Sequence, residues 1–94
     1  MINVCKPFPL GRVVATSDAL AAINKAGDDA RTFLDRHAKG DWGEIDKSDW
    51  TVNDEALRIG DRVVSVYKLK DSTRIWIITE ADRSATTILL PEDY

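Results

Sequence analysis

A chain of 94 residues has the length of a single domain, and its one cysteine excludes both an intrachain disulfide and a zinc site built from several cysteines. Its 16 acidic and 13 basic residues are interspersed and give a net charge of −3, which disfavours direct nucleic-acid binding and excludes an acidic tail. No segment reaches the roughly 20 apolar residues of a membrane helix, and the N-terminus has no signal-peptide run. With Cys5 as a lone thiol, we expect a cytoplasmic location and no membrane association.

The N-terminal half predicts an extended arm, a short strand and three helices. Pro7 and Pro9 lack the amide donor of a central strand, so residues 1–10 are predicted to be an arm and residues 13–15 a brief edge strand. In residues 16–59, capping side chains precede stretches of helically spaced apolar residues, and glycines follow them. The predicted helices begin at Thr16 or Ser17, at Asp28 or Asp29, and at Asp46 or Ser48, and they end at Gly27, Gly40 and Gly60.

The C-terminal third predicts a three-stranded antiparallel meander and, with it, the fold class. Short polar turns separate apolar runs over residues 62–69, 74–79 and 85–90, which is the pattern of consecutive hairpins. Helices followed by strands indicate a single α+β domain over residues 1–94, with the helical part packed on a meander at residues 62–90. Trp76 lies in the most apolar run and is expected in the core.

Both faces of the predicted sheet are apolar, whereas a sheet covered on one side alternates with polar residues. We expect one face to carry Tyr67, Leu69, Trp76, Ile78, Ile88 and Leu90, and the other to carry Val64, Val66, Ile75, Ile77 and Leu89. Three short helices can cover one face of so small a sheet. The other is expected to be covered by a second copy in a homodimer, by a helix, or by the arm, with Val4, Phe8 and Leu10 as plugs.

The candidate partner-binding residues are Trp42, Glu80, Asp82 and Arg83. The last three belong to a predicted hairpin tip, where binding residues are often displayed, and the Arg83 guanidinium suits a carboxylate or a phosphate. The alternative is a solvated turn in which Arg83 pairs with Asp82 or Glu80. A tryptophan is by default buried in the core or anchors a loop. Of the three tryptophans, Trp42, between two glycines of a loop, is the one most expected to be displayed, and an exposed tryptophan often serves as an interface anchor.

Catalysis has little support in the sequence. His37, the only histidine, is a candidate general base paired with Asp41 or Glu80, and the alternative is a packed residue on the apolar stripe of a helix. No serine or cysteine lies in a nucleophile motif, and no phosphate loop or metal-ligand spacing occurs, so no cofactor is expected.

Three segments, PLGRVVAT at residues 9–16, GDWG at residues 40–43 and IWIITEADRSATTILLPEDY at residues 75–94, resemble a family of small bacterial proteins called plasmid-related or hypothetical. Some members are labelled as subunits of type I restriction systems, but the chain has neither the glycine-rich cofactor loop nor the Asn/Asp-Pro-Pro-Tyr-like motif of a methylase. The resemblance implies an association with plasmids and other mobile elements and assigns no residue a role.

The expected function is therefore a non-catalytic protein-binding module that modulates a host defence or replication complex. Two alternatives belong to other classes. One is a small enzyme that uses His37 with Asp41 or Glu80. The other is an acidic mimic of nucleic acid, which needs carboxylates arrayed on one face, and the interspersed charges disfavour it.

Overall fold

Helices and strands combine in the α+β fold that the sequence predicts. The computed structural model describes residues 7–94, so the parts predicted for Val4 and Cys5 lie outside the described residues. The elements are β1 (Arg12–Ala15), α1 (Ser17–Ala26), α2 (Ala30–Ala38), α3 (Lys47–Ile59), β2 (Val63–Lys68), β3 (Arg74–Thr79) and β4 (Ala85–Leu89), followed by a short 3₁₀ turn (Pro91–Asp93).

Local capping signals set the ends of the helices. The side chains of Thr16, Asp29 and Asp46 accept hydrogen bonds from backbone amides of the first turns of α1, α2 and α3, at 3.1, 3.0 and 2.8 Å. Gly27 and Gly60 end α1 and α3 with φ angles of 73° and 81°, in the left-handed region that glycine adopts at little cost. The predicted starts of the three helices are confirmed.

The sheet has four strands in the order β1-β4-β3-β2, and it is mixed rather than antiparallel. Strands β2, β3 and β4 form the predicted meander, but β1 pairs in parallel with β4, so the meander is only part of the sheet. Gly11 leads into β1 with φ 64°, and a Cβ there would clash with the carbonyl oxygens of Arg83 and Ser84. Only a glycine lets the chain enter β1 this close to the β3–β4 turn.

The strand register corrects the predicted assignment of residues to the two faces. Tyr67 lies opposite Ile75, and Val66 lies opposite Trp76, so each pair shares a face instead of being divided between the two. We call the face toward α1 and α2 the inner face and the opposite one the outer face. The inner face carries Val63, Ser65, Tyr67, Ile75, Ile77, Thr79, Thr86 and Ile88. The outer face carries Val64, Val66, Trp76, Ile78, Thr87 and Leu89.

The main core lies between the inner face and the first two helices. Ala19 and Ile23 of α1 and Phe33 of α2 pack against inner-face side chains of all three meander strands. The Phe33 and Tyr67 rings lie 5.3 Å apart between centroids, within the range of favourable aromatic pairs. Burial of these residues is the main stabilising contribution of the helical part.

The edge of the sheet at β2 is covered by the Asn53 side chain of α3 and by the loop before α3. Asn53 donates to the carbonyl of Val64 at 2.7 Å and accepts from its amide at 3.1 Å. The Val66 amide donates to the carbonyl of Trp42 at 3.0 Å, and the Glu44 amide donates to the carbonyl of Val66 at 2.6 Å. These contacts occupy backbone groups that would otherwise be open to another strand.

The C-terminal residues, rather than the arm, cover part of the outer face. The rings of Trp76 and Tyr94 meet edge to face at 5.4 Å, and Thr16 donates to the Asp93 carboxylate at 2.7 Å. In the described part of the arm, Phe8 packs against His37, and the carbonyl of Leu10 accepts a hydrogen bond from Thr86 of the inner face. The prediction that Phe8 plugs the second face is therefore wrong.

Candidate functional site

The β3–β4 turn displays two of the predicted binding residues. Glu80 and Asp82 are exposed. The Asp82 carboxylate accepts from the amide of Ser84 at 3.0 Å, and its pKa lies below the usual value because of hydrogen bonds from Ser84. Asp82 thus stabilises the turn, whereas the Glu80 side chain makes no hydrogen bond with the residues that the structure describes.

Arg83 is held back against the protein instead of projecting from the turn. It is half-buried, with φ 60°, and its guanidinium donates to the carbonyl oxygens of Asp61 at 2.7 Å and Glu80 at 3.0 Å. The guanidinium carbon also lies 5.5 Å from the centroid of the Phe8 ring. Arg83 therefore joins the turn, the start of β2 and the arm, which corrects the prediction of a displayed side chain. The predicted local pairs with Asp82 or Glu80 carboxylates do not form, because the guanidinium bonds carbonyl oxygens.

We expect Arg83→Ala to lower the free energy of unfolding by about 1–2 kcal/mol, because charge-assisted hydrogen bonds to two carbonyl oxygens are lost. Urea denaturation followed by circular dichroism measures the change. Glu80→Ala in the same turn is the control and should change the free energy by less than about 0.5 kcal/mol. Equal, small effects of the two substitutions would contradict a structural role for Arg83.

Trp42 is buried, which corrects the prediction of an exposed loop tryptophan. Its side chain is 0% exposed and packs in a cluster with Ala56 and Val63. The indole Nε1–H donates to the Asp54 carboxylate of α3 at 2.9 Å. Gly43 follows with φ 81°, and a Cβ there would clash with the backbone oxygen of Val66, so the loop lies directly on β2. In this conformation Trp42 anchors the loop and is closed to a partner.

His37 is also fully buried, and its ring nitrogens bind hydroxyl groups. Nδ1 lies 2.5 Å from Ser65 Oγ, and Nε2 lies 2.8 Å from Thr79 Oγ1. The Asp41 carboxylate instead receives a hydrogen bond from Arg36 Nε at 2.7 Å, and Glu80 is exposed at its turn. The fold does not bring His37 to either predicted carboxylate partner.

The hydrogen-bond chain through His37 has one consistent direction. Thr86 donates to the carbonyl of Leu10 at 2.7 Å, which leaves its oxygen to accept from Thr79, 2.7 Å away. Thr79 then accepts from Nε2–H of His37, and Nδ1 accepts from Ser65. The neutral Nε2–H tautomer therefore satisfies every member. Burial, with a smaller repulsion from Arg83, lowers the pKa of His37 to about 4.

An apolar groove opens between α3 and the outer face. Val64, Val66 and Trp76 of the sheet form its floor, and Ile45, Asp49, Val52 and Asn53 form its wall. Its volume is about 220 Å³, and Val52 is 65% exposed at its rim. The Asp49 carboxylate makes no side-chain hydrogen bond within residues 7–94. We call this feature the outer groove.

Sequence reasoning identified the apolar residues of the groove floor but did not bring them together, and it missed the wall. The doubly apolar strands contain Val64, Val66 and Trp76, but the predicted faces separated Trp76 from the two valines, and Trp76 was expected in the core. Val52 was not singled out, although it is an apolar residue among polar neighbours in α3. The register that brings β2 beside this helix depends on Asn53, and no local pattern in the sequence reports that contact.

No protein-family model matches the chain, and neither do any curated proteins or solved structures. Within residues 7–94, no helix is long and apolar enough to cross a membrane. The same residues contain no group of three or more histidine, cysteine, aspartate or glutamate side chains suited to a metal ion. The family resemblance of the sequence therefore stays a prediction.

Proposed function

We propose that the chain is a non-catalytic protein-binding module and that the outer groove holds an apolar side chain of its partner. The observation that carries the proposal is the groove itself, a concave apolar surface in the part of the chain that the structure describes. An apolar concavity with a few polar groups at its edge is the usual first hypothesis for a binding site. Its floor includes Trp76, and aromatic residues in partly enclosed positions often dominate binding energy.

The size of the outer groove favours a protein partner over a small-molecule substrate. Sites for small molecules usually measure roughly 300–1,000 Å³, and this groove measures about 220 Å³. Such a volume suits one large side chain that anchors a longer segment. The buried, hydroxyl-bonded His37 supports the same choice, because a general base must reach its substrate.

The charge at the rim defines the partner further. Asp49 lines the groove beside Val52, and its carboxylate is open to an incoming cation. A partner segment with an aromatic or large aliphatic anchor next to a lysine or an arginine satisfies both the apolar floor and the acidic rim. The association with plasmids and mobile elements, and a partner in a defence or replication complex, follow from the resemblance of the sequence.

Selection from a phage-displayed peptide library on the immobilised protein tests the proposal. We expect enriched peptides to combine a large apolar residue with a lysine or an arginine, and to shift the Trp76 indole resonance in NMR spectra. Val52→Glu places a charge at the rim without removing a buried group, and it should weaken binding of these peptides about tenfold or more. Asp49→Lys should weaken the binding of peptides that contain a lysine or an arginine more than the binding of peptides that lack one.

Ile59→Glu provides the matched control. Ile59 lies on the same helix, and its 59% exposure is close to that of Val52, but it does not line the outer groove. Peptide affinity should be the same for this variant as for the parent. Peptides that bind Val52→Glu and the parent equally, or a library from which nothing is enriched, would overturn the outer groove as the binding site.

A further inference from the structure

Strand β1 forms an open edge of the sheet. The amides of Arg12 and Thr16 donate to carbonyls of the β4 side at 3.0 and 2.9 Å, so alternate residues of β1 face β4. The N–H and C=O groups of Val13 and Ala15 consequently point away from the sheet. Among the residues that the structure describes, no group pairs with them. Val13 and Val14 are 44% and 39% exposed.

The two edges of the sheet differ, because the backbone groups at the β2 edge are occupied and those at the β1 edge are open. Asn53 and the loop around Gly43 occupy the outward backbone groups of β2. Natural proteins block exposed strand edges in this manner, since an open edge recruits another strand. Besides Arg12, strand β1 carries the apolar residues Val13, Val14 and Ala15, and within residues 7–94 neither a loop nor a side chain occupies its outward backbone groups.

We propose that β1 pairs with β1 of a second copy of the chain, antiparallel about a two-fold axis at Val14, and so forms a continuous eight-stranded sheet. The count follows from the four strands of each copy. The inference is independent of the outer groove. It assigns a definite surface to the homodimer that the sequence predicts.

The backbone geometry permits this register and disfavours its neighbours. Pairing about Val14 puts Val13 opposite Ala15 of the second copy, so the outward groups of both residues find partners in four hydrogen bonds. A shift toward the N-terminus places Ala15 opposite Gly11, whose φ of 64° is not extended. A shift toward the C-terminus places Val13 opposite Ser17, which belongs to α1.

Charge complementarity favours a second copy as the occupant of the edge. In the proposed register Arg12 lies opposite Thr16 of the other copy, and both side chains are on the outer face. Thr16 binds the Asp93 carboxylate at 2.7 Å, and Glu92 and Asp18 lie close by. A hydrogen bond and repulsion from Asp93 raise the pKa of Asp18, which reflects the crowding of these carboxylates.

The basic residue of each strand therefore meets the acidic end of the other. Arg12 makes no salt bridge with residues 7–94, so its guanidinium is available for this contact. Opposite side chains in an antiparallel pair stand about 5 Å apart at Cβ. The long arginine side chain can therefore extend past Thr16 of the other copy to the Asp93 carboxylate that this threonine binds. The two-fold axis generates the interaction twice.

Light scattering after size-exclusion chromatography, over a series of protein concentrations, gives the first result. We expect a mass approaching twice the 10.5 kDa of one chain as the concentration rises. Hydrogen exchange provides the second result. The amides of Val13 and Ala15 should gain protection over the same concentration range.

Two kinds of variant locate the interface. Val13→Pro removes one outward donor from each copy while the amides that face β4 stay intact, and it should raise the dimer dissociation constant about tenfold or more. Val13→Thr keeps the amide and the branched shape and is the matched control.

Arg12→Glu should weaken the dimer to a similar extent, and adding Asp18→Arg should restore it. Circular dichroism verifies that each variant folds. If Val13→Pro does not fold, Arg12→Glu tests on its own whether the dimer interface lies at β1.

Several outcomes would overturn the proposal. One is a chain that stays monomeric at the highest attainable concentration. Another is a dimer that Arg12→Glu and Val13→Pro leave unchanged, which would place the interface elsewhere. Protection of the Val13 and Ala15 amides that does not depend on concentration would mean that the same chain covers the edge.

Discussion

Trp42→Ala is expected to lower the free energy of unfolding by about 3–5 kcal/mol, the usual cost of removing a large buried aromatic side chain. Trp42 is 0% exposed and fills the space between Ala56 of α3 and Val63 of β2. Truncation leaves a cavity at the junction of helix, loop and sheet. It also deprives the Asp54 carboxylate of the indole donor at 2.9 Å. The loss would be a large part of the roughly 5–15 kcal/mol that stabilises a domain.

Chemical denaturation of two control variants separates the contributions to this loss. Trp42→Phe keeps much of the apolar volume and removes the hydrogen bond to Asp54, so its cost should be well below that of the alanine variant. Trp50→Ala removes the same kind of side chain from a half-buried position on α3 and should also cost less. A loss below about 1 kcal/mol for Trp42→Ala would show that the loop does not depend on this anchor.

The local elements could be predicted from the sequence because their signals are local. Thr16, Asp29 and Asp46 cap helices through contacts with amides only two or three residues away. Alternating apolar residues likewise predict each strand by itself. The relation between strands is not local, since β1 and β4 are joined by hydrogen bonds between residues more than 70 positions apart, such as Arg12 and Ser84. No local pattern predicts that parallel pair or the register of β2 against β3.

The candidate site was harder to predict, because some side chains whose sequence context is typical of exposed residues contact residues far away in the chain. Arg83 is in a charged turn, yet its guanidinium binds the carbonyl of Asp61, 22 positions earlier. Trp42 lies between two glycines, a pattern typical of an exposed loop, and yet the glycine after it lets the loop press against β2. In both cases a tertiary contact decides whether the residue is available for binding.

The stability of the folded chain is expected to fall by about 3 kcal/mol as the pH decreases from about 6.5 to about 4, because of His37 alone. Burial lowers the pKa of His37 from 6.5 to about 4, so the unfolded chain takes up a proton at a pH where the folded chain does not. Above pH 6.5 both states are neutral and the penalty is absent. Between the two pKa values the unfolded state gains stability with every decrease in pH, and below the lower value the difference is constant.

His37→Gln isolates this contribution. A glutamine amide has a donor for Thr79 and an acceptor for Ser65, but it does not titrate. The variant should therefore lose the decline between pH 6.5 and 4 while the parent keeps it, in urea denaturation series across that range. Carboxylates whose folded pKa is lowered, such as Asp41 beside Arg36, start to lose their contribution only as the pH approaches and passes their usual value of 3.8.

NMR titration of the imidazole gives a direct measurement that does not depend on the variant. The His37 resonances should stay constant from pH 8 down to about 5, because the ring is neutral in the folded chain over that range. Ser65 donates to Nδ1 and Nε2–H donates to Thr79, so protonation of Nδ1 requires the Ser65 hydroxyl to turn away inside the core. A midpoint near the ordinary 6.5 would mean that water reaches the ring, and the buried hydrogen-bond chain would then be wrong.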